Sequence, residues 1–292
     1  MLLLGGCLSV PAGATTLTVP DQVATIQAAL DARPDTVLVR PGVYAESPQV
    51  IYDVALLRTP DSSSDWVVVD SLTTHNESYG PFYFLGLQVK GPVTIIGGGV
   101  SEYHFTQCDL QGSVDDHIKN YGMILSRCRV GGSLDLWIDY LTLDSCDVKG
   151  SVTTSKDMSP VIVRGCTIEG GGVSCLGDNV VYVENNTIRG GGFGVHSRSD
   201  VTISNNLIED CSGGAITIDQ GWATISNNVI MRCGAGISVD GANAVSVAGN
   251  TIDQSRAYGL AASGVYEVNV SGNTFRNCVG DGMSVGDLQG GQ

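Results

Sequence analysis

His196 and Arg198 stand one residue apart, and two carboxylates, Asp219 and Asp240, follow at successive intervals of 21 residues. These are the groups that acid–base chemistry uses. One carboxyl of a close pair can be kept protonated by its neighbour and serve as an acid, and the imidazole can serve as a base. The guanidinium can hold a carboxylate or steady a developing charge. Two close carboxylates also suit Ca²⁺, the one cofactor the sequence suggests. A second group, Asp115, His117, Asp135 and Trp137, repeats the same two-residue pattern. Trp137 on a solvent face would offer a flat surface to a sugar ring. The plainer alternatives are an exposed polar face with an Arg–Asp ion pair, and a tryptophan half-buried under a loop. Asp116 breaks the pattern of the second group, because it should point inward.

These residues meet only if the chain returns on itself at that interval. A ladder of small residues says that it does: Cys108, Cys128, Cys146 and Cys166, then Asn186, Asn206, Asn228, Asn250 and Asn273. The spacings are 20, 18, 20, 20, 20, 22, 22 and 23. Two residues after each rung stands an apolar side chain, from Leu110 and Val130 to Ile252 and Phe275. Such a period is too short for a helix pair or a four-stranded blade. Each repeat holds three short alternating runs, as in VTIS (201–204), LIED (207–210) and AITID (215–219). The reading is an all-β parallel β-helix, a three-strand solenoid of ten or more coils. At about 4.8 Å per coil it would be roughly 50–60 Å long. The Asn rungs read as sharp turns that tolerate left-handed backbone, with amides bonded up and down the stack. The four rung cysteines, and Cys211, Cys233 and Cys278 five residues after Asn rungs, read as small buried free thiols.

Stacking the third run of each repeat gives two outward columns. One holds Asp115, Asp135, Thr153, Ser174, His196, Thr217 and Ser238; the other holds His117, Trp137, Ser155, Leu176, Arg198, Asp219 and Asp240. Charges also alternate along Lys149, Glu169, Arg189 and Glu209, and along Asp109, Arg129 and Asp147. Opposite charges on neighbouring strands attract, which supports this register.

Residues 1–14, MLLLGGCLSVPAGA, read as the remnant of an export signal, with Ala12-Gly13-Ala14 as a cleavage pattern and Cys7 as an alternative site of lipidation. The rest, 15–292, reads as one domain: an N-terminal cap over 15–35, then coils over about 36–286. The cap carries a strand at 16–19 and a helix at 22–32 opened by Asp21 as N-cap. A loop is expected around Ser62-Ser63-Ser64, and longer loops near 97–102 and 118–122. The sequence stops just after a third run, so the last sheet edge expects a partner or a further cap. A net charge of −15 speaks against nucleic acid and anionic membranes. No stretch approaches a membrane span.

The segment VPDQVATIQAALDARPDTVLVRPGVYAES resembles the amino-terminal cap of secreted pectin-lyase-like proteins. VTISNNLIEDCSGGAITI and ATISNNVIMRCGAGISV resemble their β-helix repeats. The resemblance covers nearly the whole chain. It implies a right-handed β-helix, a secreted, periplasmic or cell-surface location, and a polysaccharide or glycan partner. It does not imply one activity, because one fold hosts many. Leu136-Trp137-Ile138-Asp139-Tyr140 departs from a pectate-lyase motif at Tyr140, where that motif has histidine. The expectation is an exported protein that binds, and as a hydrolase or lyase depolymerises, an extracellular polysaccharide. The alternative is a non-catalytic surface rod or adhesion module.

Overall fold

A computed structural model describes residues 15–60, 65–75, 80–96, 101–155, 160–177, 180–286 and 288–289, without the side chains of 117–121. The signal-like segment 1–14, the loop at 62–64 and part of the 97–102 loop lie outside these residues.

Alternating runs such as VTIS bury every second side chain, so each strand has one wet and one dry face. The chain closes this pattern by winding. Every strand pairs in parallel with its counterpart one coil away, as Leu207–Glu209 does with Thr187–Arg189 and Val229–Met231. The second strands of the coils, from Gly42–Val43 to Thr274–Arg276, form one 12-stranded sheet. First and third strands join in a 23-stranded sheet. At about 4.8 Å per coil, twelve coils span roughly 55–60 Å. The core is one continuous stack, aromatic near Phe82, Phe84, Tyr103 and Phe105 and otherwise mostly aliphatic, and Leu110, Val130, Val148, Ile168, Ile188, Ile208, Ile230 and Ile252 are wholly buried in it.

The asparagine ladder is a directed chain of hydrogen bonds. Asn186 donates its backbone N–H and its side-chain Nδ2–H to Oδ1 of Asn206, at 2.9 and 3.0 Å. Asn206 does the same to Asn228, and Asn228 to Asn250. The second Nδ2–H of Asn206 goes to the Val183 carbonyl, at 2.8 Å. The left-handed backbone is not at the rung itself. It falls one residue earlier, at Asn185 (φ 56°), Asn205 (57°) and Asn227 (56°), and at Gly249 and Gly272. The preceding residue makes the bend, which frees the rung side chain to turn inward. Cysteines 108, 128, 146, 166, 175, 211, 233 and 278 are free thiols, all buried except the half-buried Cys278.

The cap helix is shorter than its apolar pattern suggests. It spans Ile26–Asp31, and Thr25 rather than Asp21 is its N-cap, with Thr25 Oγ1 accepting the Ala28 N–H at 3.1 Å. Asp21 is instead drawn to Arg40, 2.6 Å away. Glu46 supplies the remaining acceptors, taking the N–H groups of Ile26 and Gln27 at 3.1 and 3.0 Å. These are donors that a helix start leaves without intrahelical partners. Ile26, Ala29 and Leu30 are buried.

Both charge columns hold their register. Lys149 lies 2.7 Å from Glu169 and 3.2 Å from Asp147, and Arg189 pairs with Glu209. Asp109, Arg129 and Asp147 sit side by side on successive coils.

Candidate functional site

The third strands put the two columns on one face. Asp115, Asp135, Thr153, Ser174, His196, Thr217 and Ser238 pair in unbroken register. Inward residues between them, such as Val195, Ile216, Ile218 and Val239, are buried and fix the outward ones in place.

His196, on strand Val195–Ser197, and Asp219, just beyond strand Gly214–Ile218, meet across one coil step. His196 Nε2 is 2.8 Å from Asp219 Oδ2. Arg198 donates from Nε to the same oxygen at 3.3 Å. Partial burial alone would raise the Asp219 carboxyl. The hydrogen bonds from His196 and Arg198 outweigh it and hold the carboxyl below the usual aspartate range. An ionised carboxylate only accepts, so the proton shared with it belongs to Nε2, and Nδ1 becomes the basic nitrogen of the neutral ring. Phe193 stands edge-on to the imidazole, with ring centroids 6.1 Å apart.

Asp240 is exposed and points the other way. Its Oδ1 accepts the Ser263 hydroxyl from the following coil at 2.9 Å, while Asp219 leans to the preceding coil. A pair sharing one proton, with a raised carboxyl at Asp219, is therefore not what the geometry gives. The two charges separate by taking partners in opposite directions. Ca²⁺ takes six to eight oxygens. Here two side-chain carboxylates diverge, and one already serves two nitrogen donors. Among the described residues no group of three or more His, Cys, Asp or Glu side chains could hold a metal.

The second group is less coherent. Asp115 and Asp135 are register partners, Asp135 is exposed, and Trp137 is 48% exposed rather than covered. The side chain of His117 lies outside the described residues. The register slips between Asp116 and Asn120, so that Asn120 pairs with Ile138. Asp116 is fully buried, as an inward position requires. The 118–122 segment is not a loop. It belongs to one long strand, Val114–Ser126, and the slip takes up the corner as a bulge does.

Beside Arg198 lies a hollow of about 430 Å³, lined also by Val180, Asp200, Gln220 and Asn243. Asn243 also lines a neighbouring hollow of about 540 Å³ with Trp222 and Tyr266. Sequence reasoning misses Phe193 and Tyr266 because they stand just outside strands, and Trp222 because it opens strand Trp222–Ser226, away from the third-run columns. Their signal was an aromatic beside a turn, as in Gly221-Trp222.

The fold agrees with a family model. Residues 94–222 and 171–291 match a family model described as a right handed beta helix region. Together these stretches span more than half of the chain, which belongs to the right-handed β-helix family. The solved structure of the Streptococcus pneumoniae surface protein and adhesin PfbA is similar over 94% of this chain and 98% of its own, at 10% identity and a TM-score of 0.37. No curated protein matches the chain. No helix among the described residues is long and apolar enough to cross a membrane.

Proposed function

We propose that this β-helix is exported and binds an extracellular polysaccharide across the face carrying His196, Arg198, Asp219 and Asp240, cleaving it as a hydrolase or lyase. The observation that carries this reading is the His196–Asp219 contact of 2.8 Å beside Arg198 and an open hollow. An imidazole oriented by an ionised carboxylate is the arrangement of a general base. Nδ1 of His196 takes a proton from a sugar carbon or from water. Arg198 faces the charge that develops, and Asp240 and Asp115, Asp135 and Trp137 bind sugar units along the rod. Asp219, held ionised, orients this base rather than serving as an acid.

The test is incubation with neutral and uronate polysaccharides, with and without Ca²⁺. Release of reducing ends marks a hydrolase, and release of unsaturated ends marks a lyase. His196→Gln and Asp219→Asn should each lower the rate by about 10²–10⁴-fold. Equal cleavage by both variants would refute the assignment, and no cleavage by the parent protein would refute catalysis. The second reading, a non-catalytic surface rod or adhesion module, is favoured by one observation: Arg198 and Asp219 already satisfy each other. It expects retained glycan binding with no product of either kind.

A further inference from the structure

We propose that the corner around Trp222 and Tyr266 is a separate binding site for a neutral oligosaccharide. It rests on the reading above only in taking the ligand to be a sugar. It needs neither the His196 face nor cleavage.

Single exposed apolar side chains are ordinary, but two large aromatics bordering one hollow form a patch that suits a ligand. Trp222 and Tyr266 are 58% and 59% exposed, and both line one hollow of about 540 Å³. The register places Trp222, Ala244 and Glu267 in line on three successive coils. Tyr266 precedes Glu267, so the two aromatics stand two coils apart along the rod, about 10 Å. Ala244, the residue between them, has only a methyl group and leaves the floor of the hollow open. Two aromatic walls with a low floor suit rings that pack their C–H faces on a π surface.

The backbone holds both walls. Gly221 turns the chain at φ 81°, where a Cβ would come within 2.7 Å of the Ser199 carbonyl carbon. The next residue, Trp222, donates its N–H to Asp200 Oδ1 at 3.0 Å. Tyr266 donates its N–H to the carbonyl of fully buried Ala242.

The polar lining chooses the ligand. Asn243, Gln289 and Glu267 offer amide and carboxylate groups to hydroxyls. The one charged side chain of that lining is acidic, and the whole chain carries −15. Uronates and sulfated sugars are therefore repelled, and uncharged hexose or pentose units are favoured.

The test uses a protein carrying Trp66→Phe and Trp137→Phe, in which Trp222 is the sole tryptophan. It is titrated with cellohexaose, maltohexaose, xylohexaose and hexagalacturonate while its fluorescence is followed. At least one neutral hexamer should give a saturable change, and hexagalacturonate should give none. Calorimetry on otherwise native protein should then show that Trp222→Ala and Tyr266→Ala each weaken that hexamer by about tenfold. Tyr266→Phe should retain most of the affinity. Circular dichroism checks that these surface variants keep the fold. Lys90→Ala, a surface change on a distant coil, should leave the affinity within about twofold. Binding that survives Trp222→Ala but is lost in Arg198→Ala would overturn this site and leave the reading of the His196 face standing. Saturable binding of hexagalacturonate at Trp222 would overturn the ligand class. No response to any of the neutral hexamers would overturn the site.

Discussion

Replacing Asn206 with alanine tests the ladder where it is fully buried. The side chain is 2% exposed. Its Oδ1 accepts two hydrogen bonds from Asn186, and its Nδ2 donates to the Val183 carbonyl and to Asn228. Alanine leaves the Asn186 N–H and one Nδ2–H without an acceptor in a dry core. A stranded buried donor costs about 1–3 kcal/mol, so the two together cost about 2–6 kcal/mol. The rung is reached from both neighbouring coils, so the loss spreads up and down the stack as nearest-neighbour coupling requires. Urea unfolding followed by far-UV circular dichroism should show a clear fall in the midpoint of Asn206→Ala. Cys146→Ala should cost only about 1 kcal/mol, because that rung is held by a thiol, a weak donor and acceptor. Asn206→Asp should be as damaging as alanine near neutral pH, since it sets an oxygen against the Val183 carbonyl. A midpoint for Asn206→Ala equal to that of the parent, or above that of Cys146→Ala, would refute this reasoning.

Three further outcomes follow from the same contacts. Glu46→Ala should lower cap stability by about 0.5–2 kcal/mol, read as faster hydrogen exchange of the Ile26 and Gln27 amides, while exchange in the distant coils stays unchanged. The folded Asp219 carboxyl lies below its unfolded value of about 3.9, so its contribution is complete above that pH and is lost as pH falls through the folded value. The stability gap between parent and Asp219→Asn should therefore narrow on acidification from pH 6 to 3, and a widening gap would contradict the contact. Among the cysteines described, only half-buried Cys278 should react quickly with a thiol reagent in a Cys7→Ser protein. Burial pushes the Cys175 thiol up to about 11, and the other buried thiols should react only on unfolding.

The coil was legible because burial enforces it. A rung every 20 or so residues, with an apolar partner two places on, leaves one way to keep those inward side chains dry, and eight of the nine are wholly buried while Phe275 is half-buried. The outward columns followed from that register, which is why His196, Arg198 and Asp219 were read together from sequence. The direction of the Asp219 shift was not legible. It depends on which neighbour the carboxyl leans toward, and two columns of names do not fix a lean. The cap misled because Asp21 has the chemistry of an N-cap but is claimed by Arg40, leaving Thr25 and Glu46 to start the helix. His117 and Trp137 were aligned by counting, and the slip between Asp116 and Asn120 breaks that count. Tyr266 lies outside the strands, and Trp222 opens a strand whose outward positions the two third-run columns leave out.

The claim beneath all of this is that residues one circuit apart touch. Methyl-labelled protein tests it directly by nuclear Overhauser contacts among Ile188, Ile208, Ile230 and Ile252. The account predicts strong contacts between successive members, 188 with 208, 208 with 230 and 230 with 252, and far weaker ones between members two coils apart. Absence of the 208–230 contact, or a stronger one between 188 and 230, would contradict it.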